Sequence, residues 1–357
     1  MMRPGRSSRR ASLIRQSVGV ALAGMVICLT AEAQAPPGPM AVWGTNQMGQ
    51  GVPQPGNFVI VDGGYRHSVA IRQDGSIVAW GENNFGQALS PPGIYQFVAA
   101  GAAHNVAIRT DGTLFAWGYD YQGSLNVPAG TFTAVAAGEN HAVAIRTDGT
   151  LAAWGLNNYG QANAPAGVFV AAAAGWQHNI AIRPDGTLVG WGQNFRGQTN
   201  VPPGRFIGIG CGYDFSVGIR EDGTLQHWGQ NWAGLDQPPP GRYTQVSGSL
   251  AYAVALREDG VAVAWGQVGT VFAPPPDRLS WVLAGDAHLV GIYECYPNCD
   301  GSTASPRLNI NDFVCFLNRF SAGDTYANCD ASTTSPALNV NDFVCYLNRF
   351  SAGCTNP

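Results

Sequence analysis

The residues best suited to chemistry lie near the C-terminus, where Asn298, Asp300 and Ser302 alternate and Asn309 and Asp312 follow. Hard oxygen donors at alternating positions, closed by an acidic residue, are what a Ca²⁺ loop supplies. Leu308 fits the apolar loop position that pairs two such loops. The stretch NCDGSTASPRLNINDFVCFLNRFSAG returns 30 residues later as NCDASTTSPALNVNDFVCYLNRFSAG. In each copy the polar loop runs into an amphipathic helix: Phe313, Leu317 and Phe320, then Phe343, Leu347 and Phe350, recur at helical spacing. The segment also holds Cys295, Cys299, Cys315, Cys329, Cys345 and Cys354. An even cluster in a short exported segment reads as a disulfide framework. Cys299–Cys315 and Cys329–Cys345 would repeat one bridge and Cys295–Cys354 would clasp the ends, one of many pairings that six cysteines allow.

Upstream, His67, His104, His141 and His178 hold one position in consecutive units, and His288 nearly matches it. A metal site needs ligands that converge within a few ångströms. Equivalent positions of successive units are spread apart, so these histidines read as hydrogen-bonding groups between units. Arg72, Arg109, Arg146, Arg183, Arg220 and Arg257, each with an Asp-Gly partner, read as hairpin ends. Cys211 stands where other units have Gly or Ala and reads as a small packing residue. Asp120, Asp214 and His227 break the pattern, yet their spacing fixes no geometry. No nucleophile elbow, zincin helix or phosphate loop is present.

The elements that must position these residues come from one repeat. Trp43, Trp80, Trp117, Trp154, Trp191, Trp228 and Trp265 each precede a Gly and are spaced by 37 residues. A fixed period without insertion is a tandem array. Within 132–161, FTAVAAG and HAVAIR are short and apolar, Asp148-Gly149 is a hairpin turn, LAAWG is a third strand, and NNYGQANAPAG is a return loop. A three-stranded sheet cannot bury both faces alone, so neighbours must cover it. The segment from Met40 to Gln50 supplies a Trp-Gly strand without the AGxxH strands, and that from Ser280 to Tyr293 supplies AGxxH strands without a Trp-Gly. The two halves complete one another if the array closes into a ring, which removes bare edges. The fold class expected is an all-β seven-bladed propeller with three-stranded blades, plus a small helical duplicated domain.

Strands alternate in direction, so the AGxxH turns and the loops after Trp-Gly share one face, and the Asp-Gly turns share the other. The variable positions of the first face hold Tyr65, Arg66, Trp176, Gln177, Tyr213 and Asp214 in the AGxxH turns. Phe85, Tyr119, Tyr121, Tyr159, Phe195, Arg196 and Trp232 lie in the following loops. Tyr, Trp and Arg are the residues of binding hot spots, and such rings also stack on sugars. The competing reading is that several of them pack the loops.

The pattern AAGxxHxVAIR…DGTLxAWGxNxxGQ, recurring from Met40 to Tyr293, resembles the repeats of the regulator-of-chromosome-condensation superfamily. The short period is similar to its compact bacterial members, the propeller-type β-lactamase inhibitors among them. That resemblance implies a seven-bladed propeller; nucleotide exchange on a nuclear GTPase is not carried over to an acidic, exported chain. The C-terminal pair resembles a dockerin, the duplicated calcium loop-helix module that docks onto cohesin receptors. It implies Ca²⁺ ligands at Asn298, Asp300, Ser302, Asn309 and Asp312, and at Asn328, Asp330, Ser332, Asn339 and Asp342. Recognition would fall on Ile310-Asn311 and Val340-Asn341. Three extra residues per loop, Asn in first place and Ser in fifth leave two carboxylates per loop, hence weak affinity of ~10⁻⁴–10⁻³ M. A small disulfide-held domain without metal is the alternative.

Five of the 19 basic residues, all Arg, lie in the first sixteen positions, ahead of SVGVALAGMVICLT and Ala31-Glu32-Ala33. That order predicts a secretory signal peptide over 1–33, with Sec and twin-arginine routes both open. Cleavage there leaves 14 arginines against 22 acidic residues, a formal charge of about −8, which argues against a nucleic-acid binder. The domains expected are the signal at 1–33, the propeller at 34–293 and the dockerin-like module at 294–357. The function expected is a secreted or cell-surface, non-enzymatic binding protein. Its propeller face would take a protein or glycan, and its tail a cohesin-like or other surface receptor, with no membrane contact after cleavage. A secreted inhibitor of an extracellular enzyme ranks second and an enzyme on extracellular polysaccharide third.

Overall fold

A computed structural model describes residues 38–267, 278–286, 288–293 and Leu317. The expected signal peptide, the calcium loops at 298–312 and 328–342, the six C-terminal cysteines and, Leu317 apart, the rest of the dockerin-like module lie outside the described residues.

The short apolar runs form 21 strands in seven three-stranded antiparallel sheets. The first sheet is β2 (Phe58–Gly63), β3 (His67–Arg72) and β4 (Ile77–Gly81); the second is β5 (Tyr95–Ala100), β6 (His104–Arg109) and β7 (Leu114–Gly118). The third is β8 (Phe132–Ala137), β9 (His141–Arg146) and β10 (Leu151–Gly155); the fourth is β11 (Ala171–Ala174), β12 (His178–Ile182) and β13 (Leu188–Gly192). The fifth is β14 (Phe206–Cys211), β15 (Phe215–Arg220) and β16 (Leu225–Gly229); the sixth is β17 (Tyr243–Gly248), β18 (Tyr252–Arg257) and β19 (Ala262–Gly266). The seventh joins β20 (Leu279–Ala284) and β21 (His288–Tyr293) to β1 (Met40–Gly44).

The first strand of each sheet packs beside those of its two neighbours, and β2 packs against both β5 and β20. These strands therefore ring the axis, and the molecule is a seven-bladed β-propeller. Ala, Gly and Ser dominate the axial ends of the inner strands because seven backbones converge there. Middle strands such as HAVAIR are buried along nearly their whole length, sandwiched between neighbouring blades. Six of the seven inner strands carry a bulge after their first residue, which adds twist where blades splay outward. That first residue is an anchor: Phe58, Phe132, Phe206 and Tyr243 are fully buried, as is Phe169 just ahead of β11. Truncating one to Ala would cost about 3–5 kcal/mol.

The Asp-Gly turns form as their chemistry dictates. Gly149 has φ +84°, and the Asp148 carboxylate accepts from the Thr150 N–H at 2.9 Å and its hydroxyl at 2.7 Å. Arg146 folds over the Phe132 ring, 5.0 Å from its centroid, and donates to the Ala129 carbonyl at 2.9 Å. The repeated Arg and Asp-Gly residues hold the hairpin ends, as their periodicity suggested.

The ring closes through the N-terminal strand. β1 runs antiparallel to β21, with Met40 opposite Ile292 and Gly44 opposite His288. Just upstream, Gly38 and Phe58 exchange backbone bonds at 3.1 and 2.9 Å, so one segment clasps the last blade to the first. Deleting residues 38–44 should bare the β21 edge. The expected result is a loss of about 3 kcal/mol or more in chemical denaturation, with concentration-dependent association in light scattering.

Candidate functional site

The AGxxH turns converge around the axis, and the site is built from their backbone first. Tyr65 N–H donates to Ala102 C=O, Ala102 to Glu139, Glu139 to Trp176, Trp176 to Gly212, Tyr213 to Ser249 and Asp286 to Gly64, at 3.0–3.3 Å. The Ser249 hydroxyl completes the circle by donating to the Asp286 carbonyl at 3.0 Å. Five of the turns are held down by a histidine that folds back over the Gly, and in the fifth blade Phe215 takes that place. A Cβ on Gly101 would meet the Gly138 carbonyl oxygen at 2.6 Å, so only Gly fits beneath the ring there.

The histidines are stitches between blades. His67 Nε2 meets Asn105 Oδ1 at 2.9 Å and His141 Nε2 meets Asn179 Oδ1 at 3.0 Å. His178 and His288 meet the hydroxyls of Ser216 and Ser68 at 2.9 and 2.7 Å. The Asn amides and Ser hydroxyls in turn donate to the carbonyls of Gln87, Gln161, Gln198 and Gln50. Their oxygens are thus left to accept, which fixes the proton on Nε2 of each imidazole. Where the fifth blade has Phe215 at the histidine position, the next blade offers apolar Ala253. His104 breaks the rule: its neighbour is Ala142, and its buried Nε2 has no partner.

The same Gln carbonyls receive the indoles. Trp80, Trp117, Trp191 and Trp228 donate to Gln50, Gln87, Gln161 and Gln198 at 2.9–3.2 Å, and Trp154 and Trp265 donate to Ser124 and Leu235. The Gln side chain braces its own loop, as when Gln161 Oε1 accepts from the Tyr159 N–H at 2.9 Å. Sequence reasoning kept these glutamines in the recurring pattern but gave them no role, although their place seven residues after Trp was the signal. Asp120 is explained likewise: it accepts from the Leu125 N–H as Asn157 does from Ala162. Asp214 accepts from Gln198 Nε2, and His227 Nε2 donates to the Gln230 carbonyl. Asp214 and His227 both belong to the fifth blade, whereas Asp120 follows the last strand of the second.

The aromatic residues expected on this face fall into groups. Phe85, Tyr119 and Tyr121 form one exposed cluster, with ring centroids 4.4 and 6.0 Å apart. Tyr159 and Phe195 meet edge to face at 5.3 Å, and Phe195 is 73% exposed. Trp176 and Tyr213 pack with tilted rings, centroids 4.6 Å apart, and are only part-exposed. Tyr65 is exposed, with the Arg66 guanidinium 5.1 Å from its centroid. Trp232 and Arg196 are exposed on their own loops.

At the centre the turns enclose a cavity of about 130 Å³. Its rim is formed by the first variable residue of each turn: Tyr65, Ala102, Glu139, Trp176, Tyr213, Leu250 and Asp286. Asp62 and the buried thiol of Cys211 lie deeper. Burial pushes the Cys211 thiol up to about 12 and the Asp62 and Asp286 carboxyls up to about 7. It also raises Glu139, against the pull of its hydrogen bond from Gln177. Glu139 and Asp286 went unnoticed in the sequence because one turn residue among two variable ones carries no periodic signal. Among the described residues, no cluster of His, Cys, Asp or Glu could hold a metal ion.

The sequence model of the regulator of chromosome condensation (RCC1) repeat matches residues 58–87, 96–124, 132–161, 169–198 and 206–231. Among curated proteins, none matches the chain in sequence. Among solved structures, Prp20p from Saccharomyces cerevisiae is similar at 16% identity and TM-score 0.62, over 82% of this chain and 97% of that one. Yeast RCC1 (Prp20) bound to Kap60 aligns at 15% identity and TM-score 0.63, over 91% and 100%. The ectodomain of the Physcomitrella patens receptor kinase CR4 aligns at 20% identity and TM-score 0.58, over 65% and 70%. The first five blades therefore carry RCC1 repeats, and the likeness to these solved structures is one of propeller fold.

The stitches can be tested by substitution and by acid. Ala142→Ser should give His104 its partner and stabilise the protein by about 1 kcal/mol, whereas Asn179→Ala should cost about 1–3 kcal/mol, both read by denaturant titration. Acid acts through the imidazoles. Burial depresses His67 and His141 to about 4 and His104, His178 and His288 to about 3, while the unfolded imidazoles protonate near 6.5. Their contribution is present above pH 6.5 and lost as pH falls from there toward 3. Asp62 and Asp286, protonated in the fold below about 7 but ionised in the unfolded chain down to about 4, offset two of the five protons. Unfolding free energy should fall by up to roughly 4 kcal/mol per pH unit between about pH 6 and 4.5.

Proposed function

We propose that the protein is an exported, non-enzymatic binding protein whose AGxxH face engages a partner protein. The observation that carries this reading is the concentration of exposed rings on that one face: Tyr65, Phe85, Tyr119, Tyr121, Tyr159, Phe195 and Trp232. Exposed aromatic groups on a rigid scaffold combine large contact area with little entropy to lose, which is the make-up of binding hot spots. The opposite face offers Arg, Asp and Glu of the hairpin turns and three exposed ion pairs. Prp20p, similar in fold, is known by its binding to Gsp1p and histones, which supports protein binding as the use of such a face in general terms. In the same reading the signal at 1–33 exports the chain, and residues 294–357 tether it through a dockerin-like pair of weak Ca²⁺ loops to a cohesin-like or other surface receptor.

Pull-down from the native secretome with the full chain tests the face. Trp176→Ala and Trp232→Ala should each weaken capture of one folded protein by tenfold or more. Loss of polysaccharide retention instead would assign the face to glycan, and turnover abolished by Asp214→Asn with binding intact would make the protein an enzyme. For the tail, calorimetry of the full chain should show Ca²⁺ heat from two sites, absent in the Asp312→Asn/Asp342→Asn variant. Silence in the parent chain favours a metal-free, disulfide-held tail.

A further inference from the structure

The seven rim residues are the least repetitive feature of the most repetitive part of the molecule. Around the backbone circle they run Tyr65, Ala102, Glu139, Trp176, Tyr213, Leu250 and Asp286. Glu139 is thus next to the Trp176–Tyr213 pair, and across the mouth Asp286 is next to Tyr65. Two corners, each an acid beside an aromatic ring, face a common opening. Asp62 adds a third carboxylate below them, although its oxygens already accept from the Gly63 and Ala100 N–H groups at 2.8 and 2.9 Å.

Among the described residues, no Lys, Arg or His lines the cavity. All three ion pairs among the described residues lie at the hairpin ends of the opposite face, so the rim carboxylates have no ion-pair partner there. The charge of Arg66 acts on Asp286, but its guanidinium lies 5.1 Å from the Tyr65 ring centroid and makes no ion pair. Asp286 Oδ1 is enclosed and has no hydrogen-bond partner. A desolvated, uncompensated carboxyl is costly unless a positive group arrives, and a ring face attracts the same cation. The carboxylates are too dispersed to chelate a metal ion, whereas the spread of a guanidinium or an ammonium on its alkyl stem suits rings and acids around a cavity of about 130 Å³.

We propose that the axial mouth receives one basic side chain, Arg or Lys, from a partner protein, with Glu139 and Asp286 supplying charge and Trp176, Tyr213 and Tyr65 the ring faces. This deepens the binding reading above and rests on it. The choice of a protein as the source comes from the surroundings: the mouth opens on the same face as the exposed clusters Phe85–Tyr119–Tyr121 and Tyr159–Phe195 of the first four blades. A free small cation would leave those rings without a role, while a protein surface that plants a basic residue on the axis covers them. Rings in the outer zone would then give contact area, and the mouth would give register and selectivity.

The test uses the full chain in two arms. In the first, ethylguanidinium and butylammonium are titrated while the Trp176 indole and Tyr213 ring resonances are followed, with propylurea as the uncharged comparison. Saturable shifts with the cations are expected, weakened at least tenfold in Glu139→Gln/Asp286→Asn and by raised salt. Equal shifts with propylurea, persistence in the double variant, or no response to any probe would overturn the proposal. Unchanged thermal melting of the double variant, with Asp286→Asn alone as the milder form, separates loss of the site from loss of the fold. In the second arm, random peptides displayed on phage are selected on the chain. Selected peptides should carry one indispensable Arg or Lys and lose binding to the double variant. Peptides that need Trp232 and Phe195 but no basic residue would leave the binding reading standing and remove the cation. Cation shifts with no such peptide would remove the protein as their source.

Discussion

Everything on the AGxxH face depends on one constraint: seven small sheets, none able to bury its own faces, must cover one another in a circle. The chain meets it by lending its first strand to its last sheet. β1 pairs with β21 along its whole length, and Gly38 reaches on to Phe58 of the next blade. Without that exchange the terminal half-sheets would each expose an unpaired edge, and the turns that now converge on the axis would have no common centre.

Within the closed ring, the blades are joined by two sets of polar contacts that share an acceptor. A loop Gln carbonyl accepts from the Trp indole of the following blade and from the Asn or Ser beside its histidine. The histidine of the preceding blade then donates to that Asn or Ser. Such a chain of fully buried bonds gives the ring its register, since a slipped blade would strand several donors at once. It also places neutral imidazoles where charge is unwelcome, which couples the fold to acid. Repetition supplies the rigid frame, and the positions freed from that duty carry the differences between blades.

Much of the architecture was legible before any coordinates. The 37-residue spacing of Trp-Gly, the complementary half units at Met40 and Ser280, and the Asp-Gly turns each stated a local rule, and all agree on one closed array. The face that gathers Phe85, Tyr119, Tyr159 and Phe195 followed from strand direction alone. What stayed hidden were the pairings across blades. His67 and Asn105 are 38 residues apart, and nothing local marks them as partners until the ring geometry brings one over the other. The acids of the mouth were hidden for a related reason: Glu139 and Asp286 gain their character from burial beside Trp176 and Tyr65, an environment that belongs to the circle and not to any single turn.

The closed circle itself is best tested by a cross-link designed from its register. Val42 and Val290 stand opposite one another in the β1–β21 pair. Val42→Cys with Val290→Cys, oxidised in the folded state and mapped by mass spectrometry, should yield a disulfide-linked peptide pair joining these two positions within one chain, with both single variants failing to form it. Recovery of that bridge only between chains, or its absence from folded protein, would mean that the two ends of the array do not meet, and the shared mouth and its face would fall with it.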